Sequence, residues 1–227
     1  MNIEAFFVDI DGTITDYFPD AMEPDKLLGG NFLFPLIRDI LVERGQDFDE
    51  AGRDIIEAAN EIIYWDYNVI AGRFDISESE IFPGMRQWHS ENMKYYDDMV
   101  ETVKALSEKG KKLFIISNNP YWGCRFKLEL AGLADHDSVY YFDHIFGTDI
   151  VLGCKESKQT WQNALKHLDE APEKIATIGD HFHEDGEIPQ SCGIGNSFIL
   201  RRNEKTKLRR ENNFTFVNDA REILSEV

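Results

Sequence analysis

Cysteine is scarce in this sequence, and its copies are poorly spaced for any framework: Cys124, Cys154 and Cys192 stand 30 and 38 residues apart. They form neither a zinc pattern nor a secreted disulfide scaffold, so they read as buried small apolar residues. Long hydrophobic runs are missing too, since nothing in the chain approaches the roughly 18 apolar residues of a membrane span. The opening MNIEAFFVDIDG lacks a basic region and a cleavage site and enters an apolar segment at once, so the cytoplasm is the expected location and no membrane partner is expected. Positive charge is in short supply, with 24 Lys and Arg against 42 Asp and Glu and a net charge of −18. Such a surface repels a phosphate backbone, which argues against nucleic acid as a partner. The basic run RRNEKTKLRR at 201–210 goes against this trend, but without interleaved aromatics it reads as a solvated connector. A small anionic substrate stays open, because a few donors and a metal ion can dominate the field inside a cleft.

What is present suits a globular protein of one large domain or a core with a smaller companion: 227 residues, 42% hydrophobic and 29% charged. Apolar strands are expected at Ile3 to Val8, Leu113 to Ile116, within FDHIFG at 142–147, in KIATIG at 174–179 and in SFIL at 197–200. Between the first two, Leu33, Leu36, Ile37, Ile40 and Leu41 recur at helical spacing, with Pro35 tolerable only in a first turn. Ala51, Ile55, Ile56, Ala59, Ile62 and Ile63 repeat that spacing behind Asp49 as an N-cap, and a weaker helix is expected from Pro83 to Met93. Aromatics crowd this interval, among them Phe32, Phe34, Phe48, Tyr64, Trp65, Tyr67 and Trp88, and read mainly as helix packing. Residues 16–95 thus read as a helical insertion. Afterwards helices are expected at 97–109, stopped by Gly110, at 121–130, closed by Gly132, at 157–168 and from Asn218. Strands alternating with helices argue an α/β fold with a parallel sheet covered on both faces.

Such sheets place their sites at the carboxyl ends of the strands. Three of these strands run into polar sequence: Asp9–Ile10–Asp11, Ser117–Asn118–Asn119 and Gly179–Asp180, with Asp185 shortly after. Converging carboxylates repel unless a cation neutralises them, and Mg²⁺ suits a few carboxylates plus a substrate phosphate. Ser117 and Lys155 then supply a hydroxyl and an ammonium for a transferring phosphoryl group, and Gly12 lets backbone N–H groups face the anion. Asp9 can act as nucleophile, and Asp11 can protonate the leaving oxygen and later take a proton from water.

With these residues in order the chain resembles the haloacid dehalogenase-like hydrolases. Asp9–Ile10–Asp11–Gly12–Thr13 is similar to that family's first motif, Ser117 to the second, Lys155 in GCKESKQTW to the third, and Gly179–Asp180 through Asp185 to the fourth. Glu156 replaces the usual proline after the lysine, so Lys158 stays an alternative. The resemblance implies a Rossmann-like core of residues 1–15 and 96–227 and an inserted helical cap of 16–95. It also implies an Mg²⁺ held by the side chains of Asp9 and Asp180 and the backbone carbonyl of Asp11, supported by Asp185. Thr13, Ser117, Asn118 and Lys155 would contact the phosphoryl group. Asp11 separates this chain from the dehalogenase branch, whose leaving halide needs no proton. A phosphatase acting on a small phosphorylated metabolite is the expected activity, with a phosphomutase or a non-catalytic binding protein of the same fold as alternatives. His181 and His183 read as solvated loop residues despite their position beside Asp180. Arg38, Arg73 and Arg86 are candidates to contact a second anionic group, and oligomeric state is not legible.

Overall fold

The run Ala5–Val8 forms β1 and is buried at every position, as a strand covered on both faces requires. Its alternating side chains feed two cores. Phe6 and Val8 join Leu113, Ile115, Ala176, Ile178 and Phe198 on one face; Ala5 and Phe7 join Phe114, Ile116, Phe146 and Trp161 on the other. The computed structural model describes residues 2–61, 67–202, 204 and 209–227. It divides the chain into two units, Met1–Asp16 with Tyr95–Val227, and Tyr17–Lys94.

After β1 come β2 (Thr15–Tyr17), α1 (Leu33–Glu43), α2 (Phe48–Asn60), α3 (Tyr67–Gly72), α4 (Glu78–Asn92) and β3 (Met93–Tyr95). The chain continues through α5 (Asp97–Glu108), β4 (Lys112–Ile116), α6 (Tyr121–Leu130), β5 (His144–Phe146), α7 (Thr148–Val151) and α8 (Lys158–Leu165). It closes with β6 (Ile175–Gly179), α9 (Ile188–Ser191), β7 (Asn196–Leu200), β8 (Arg209–Glu211), β9 (Phe214–Val217) and a 3₁₀ turn at Ala220–Ser225. The sheet order is β5-β4-β1-β6-β7-β9-β8. Every pairing is parallel except β8 with β9, so the sheet is mixed, with an antiparallel edge. In register, Val8 lies between Ile115 and Ile178. The residues leaving β1, β4 and β6 therefore emerge side by side at one end of the sheet.

The inserted unit is helical, as its periodicity predicts, and Pro35 sits in the first turn of α1. Its core includes Phe32 stacked on Trp88, with ring centroids 4.0 Å apart.

Several expectations need correction. The N-cap of α2 is Asp47, whose carboxylate accepts the N–H groups of Asp49 and Glu50; Asp49 is already helical. The helix expected from Pro83 begins earlier, at Glu78, because Ser77 and Glu80 form a capping box there; Pro83 lies inside it. No α-helix starts at Asn218: Asp219 caps the 3₁₀ turn instead. The sequence does not announce β8 and β9: β8 is a wholly charged, exposed run, and in β9 only alternate residues are buried. Of the cysteines only Cys124 is buried, while Cys154 is exposed. Phe48 is exposed as well, lying under the Arg38 guanidinium rather than in a core. Ile62, Ile63, Tyr64, Trp65 and positions 203 and 205–208 of the basic run lie outside the described residues.

Trp161 links packing to the site. It is fully buried, meets Phe7 edge-on at 5.6 Å, and its indole N–H donates to the carbonyl of Lys155 at 3.0 Å. Trp161→Ala is expected to lower the unfolding free energy by about 3–5 kcal/mol, read from urea denaturation. A loss below about 1 kcal/mol would show that the cavity refills and that Trp161 is not a keystone of that core.

Candidate active site

Asp9 follows the last residue of β1, and its N–H donates to the carbonyl of Ile178 on β6 at 2.9 Å. That bond carries the strand pairing one residue further and fixes the direction of the Asp9 side chain. Asp180 follows β6, and Asp185 lies in the π-helical turn Phe182–Glu187. The turn folds Asp185 back: its N–H donates to the His181 carbonyl at 2.8 Å, and its carboxylate accepts the His181 N–H at 3.0 Å. Asp9, Asp180 and Asp185 each present an oxygen, all within 4.8 Å of one another.

Two glycines make this approach possible. A Cβ on Gly12, whose φ is +73°, would stand 2.2 Å from an Asp180 carboxylate oxygen, and one on Gly179 would stand 2.2 Å from the Asp185 carboxyl carbon. Any larger residue at either place would push an acid out of the cluster.

Lys155 is 3% exposed, and its ammonium bonds Asp9 at 2.6 Å and Asp185 at 2.7 Å. Lys158 is exposed at the start of α8, so the structure brings Lys155 and not Lys158 to the acids. Burial alone would lower the Lys155 pKa, but Asp185 and Asp9 overcome it and hold the ammonium above the ordinary lysine range. Burial pushes the Asp9 carboxyl well above the usual carboxylate range, with Lys155 opposing and Asp185 reinforcing. Burial and Asp185 likewise raise Asp180.

The donor set fits a hard divalent cation such as Mg²⁺. Three ionised carboxylates and one ammonium leave two negative charges uncompensated in a largely buried cluster. Asp9, Asp180 and Asp185 are the side chains that would hold it; the carboxylate of Asp11 is not in this group.

Asp11 faces elsewhere. Both of its oxygens accept from the ammonium of Lys127 on α6, at 2.6 and 2.7 Å, and one also accepts from the Asn119 side-chain amide at 2.6 Å. Ser117, 2% exposed at the end of β4, accepts from the backbone and side-chain N–H groups of Asn119. Asn118 bridges two loops: its side-chain oxygen accepts the Lys155 N–H at 2.7 Å, and its amide donates to Glu184 at 2.8 Å. The hydroxyl of Thr13 is wholly buried and pairs with none of the described residues. His181 and His183 are exposed and engage Glu184 and Glu187 of their own turn; neither joins the carboxylate cluster. In the inserted unit, Arg73 is paired with Glu61, and Arg38 lies over Phe48.

A family model described as haloacid dehalogenase-like hydrolase matches residues 3–193, which takes in every residue of this site. The chain belongs to that family. It is 24% identical over 212 residues to the pyrophosphatase PpaX of Listeria monocytogenes, covering 88% of this chain and 85% of that one. The structure is similar to a HAD phosphatase from Thermococcus onnurineus, with a TM-score of 0.61 and 22% identity over 99% of this chain and 97% of that one. It is also similar to YfnB of Bacillus subtilis, solved bound to magnesium, with a TM-score of 0.59 and 15% identity over 99% and 98% of the two chains. At those identities the structural likeness speaks for the fold alone.

Sequence alone does not single out Lys127, and Asn119 figures in it only as one of the polar residues that follow β4. A signal for Lys127 was present: it shares a helical stripe with Gly123, Cys124 and Ala131, where a charge is out of place.

Chelation is expected to lower the thermal midpoint near pH 7, and the rise on adding Mg²⁺ is expected to shrink towards about pH 5. The sign follows from the raised carboxyls of Asp9 and Asp180. Without metal, the stability they contribute is full below the ordinary carboxylate pKa and is lost as pH rises through their raised values. Above those values a cation takes the proton's place; in acid it must displace one. A midpoint shift of equal size at both pH values, or none, would contradict the metal assignment.

Proposed function

We propose that this protein is an Mg²⁺-dependent phosphomonoester hydrolase acting on a small phosphorylated metabolite through an aspartyl-phosphate at Asp9. The observation that carries this reading is the cluster of Asp9, Asp180 and Asp185 around the Lys155 ammonium, with Asp11 retained two residues beyond the nucleophile.

An Asp9 oxygen attacks the phosphorus, and the bond from phosphorus to the leaving oxygen breaks as the new one forms. Lys155 balances charge at the transferring group, and Ser117, Thr13 and the Asn118 backbone N–H provide further donors. Asp11 protonates the departing alkoxide, then takes a proton from the water that attacks the acyl phosphate, releasing inorganic phosphate and restoring Asp9. A divalent cation held by Asp9, Asp180 and Asp185 would supply positive charge to offset that of the nucleophile and the phosphoryl group. A cleft of about 390 Å³ beside Asp180, lined by Gly12, Asp16, Tyr96 and Arg202, gives room for part of the substrate. The cytoplasm is the proposed location.

A phosphoanhydride substrate is a second reading, favoured by the similarity to PpaX over most of both chains. A panel of alkyl, aryl and sugar phosphates plus inorganic pyrophosphate, assayed with Mg²⁺ and with chelator, separates the readings. Metal-dependent phosphate release from monoesters is expected, and Asp9→Asn is expected to lower turnover by at least about 10⁴-fold while leaving the circular dichroism spectrum unchanged. Release confined to pyrophosphate would favour the second reading, and isomerised sugar phosphate without free phosphate would make the protein a mutase. Silence across the panel would leave a binding protein.

A further inference from the structure

Lys127 is an unusual residue for its place. It lies on α6 between Phe126 and Leu128 with its side chain wholly buried, and an ammonium taken out of water is costly unless it is well paired. Three of its hydrogen bonds reach the site. It donates to both oxygens of Asp11 and to the side-chain oxygen of Asn119 at 3.0 Å. Asn119 in turn donates to Asp11 at 2.6 Å and to the Ser117 hydroxyl at 2.9 Å. The second acid of β1's terminal loop is thus gripped by a helix on one side and by the end of β4 on the other.

We propose that Lys127 is a positioning residue: through a clamp shared with Asn119 it fixes the carboxylate of Asp11 for both proton transfers of the reaction. This rests on the phosphatase reading above. The Asp11 side chain is 32% exposed, far more than the 6% of Asp9, so burial alone does not hold it in one rotamer. The three hydrogen bonds named above occupy three of a carboxylate's roughly four acceptor sites. One site is left to meet the leaving oxygen or the attacking water. Proton transfer needs a heavy-atom separation near that of a hydrogen bond, and misplacement by about 1 Å can cost 10²-fold. Holding both oxygens sets the orientation of the carboxyl plane as well as its position, which a single contact would not.

A purely structural salt bridge would use the same atoms, so the test separates the two roles by kinetics. Lys127→Met keeps the length and burial of the stem while removing the ammonium, and Asp11 can still be hydrated on its exposed side. It is expected to lower kcat on an alkyl phosphate by about 10²-fold with KM changed less than about twofold. Lys127→Arg is expected to recover part of the loss. In the Asp11→Asn background, adding Lys127→Met is expected to cost nothing further, because the clamp has no acid to place. With a nitrophenyl phosphate, whose leaving group needs little protonation, Lys127→Met is expected to give a burst of nitrophenolate followed by slow turnover, as the acyl phosphate waits for its base. Equal losses with and without Asp11, or no burst, would overturn the proposal and leave a structural ion pair. Should Lys127→Met fail to fold, Asn119→Ala removes the other arm and is read through the same cycle. An inactive wild type would overturn the phosphatase reading and this inference with it, whereas an active wild type matched by Lys127→Met overturns this inference alone.

Discussion

The ammonium of Lys155 between Asp9 and Asp185 is the contact on which the rest of the site depends. Buried carboxylates cannot be crowded together without positive charge, and each would otherwise take up a proton or turn towards solvent. Lys155 supplies part of that charge from a loop that has its own anchors. The Trp161 indole holds the Lys155 carbonyl, and the Asn118 side chain holds its N–H. The lysine is therefore tied by its backbone to a hydrophobic core and to the end of β4, and by its side chain to the ends of β1 and β6. Charge balance, core packing and strand register converge on one residue.

The remaining negative charge is what turns a structural cluster into chemistry. With all three acids ionised, one divalent cation would match the two charges that Lys155 leaves over, and the glycines at 12 and 179 keep the space in which Asp180 and Asp185 approach each other. The same loop after β1 sends its second acid away from this cluster, to Lys127 and Asn119. Two carboxylates two residues apart in sequence thus occupy different electrostatic surroundings. One is packed against Lys155 and Asp185, and the other is held at a partly exposed position. That separation suits the proposed roles of nucleophile and proton carrier, since the first would have to be in line with phosphorus and the second would have to reach solvent-side oxygens.

The sheet was legible because its signals are local and strong. Phe6 to Val8 and Leu113 to Ile116 are continuous apolar runs, Ile175 to Ile178 is one broken only by Thr177, and all three lead into polar residues; burial on both faces of a parallel sheet leaves that mark. Helices with amphipathic stripes were legible for the same reason, whereas their first residues were not. The true start of α2 depends on which of two nearby aspartates turns its side chain back to the N–H groups, and Asp47 rather than Asp49 does so. Pro83 read as a start signal, but the capping box at Ser77 and Glu80 overrode it. β8 and β9 left no such mark, because β8 consists of exposed charged residues and β9 buries only alternate side chains.

The sequence by itself determined the strand-end acids, the order in which they occur and the need for positive charge among them. Residue type and spacing along a strand dictate those features without reference to distant parts of the chain. Only the tertiary structure decided between Lys155 and Lys158, and only it brought Lys127 to Asp11 across 116 positions of sequence. Partnership between charges depends on which helix face turns inward and how far the ends of neighbouring strands lie apart. Those are properties of packing, and a one-dimensional pattern does not contain them.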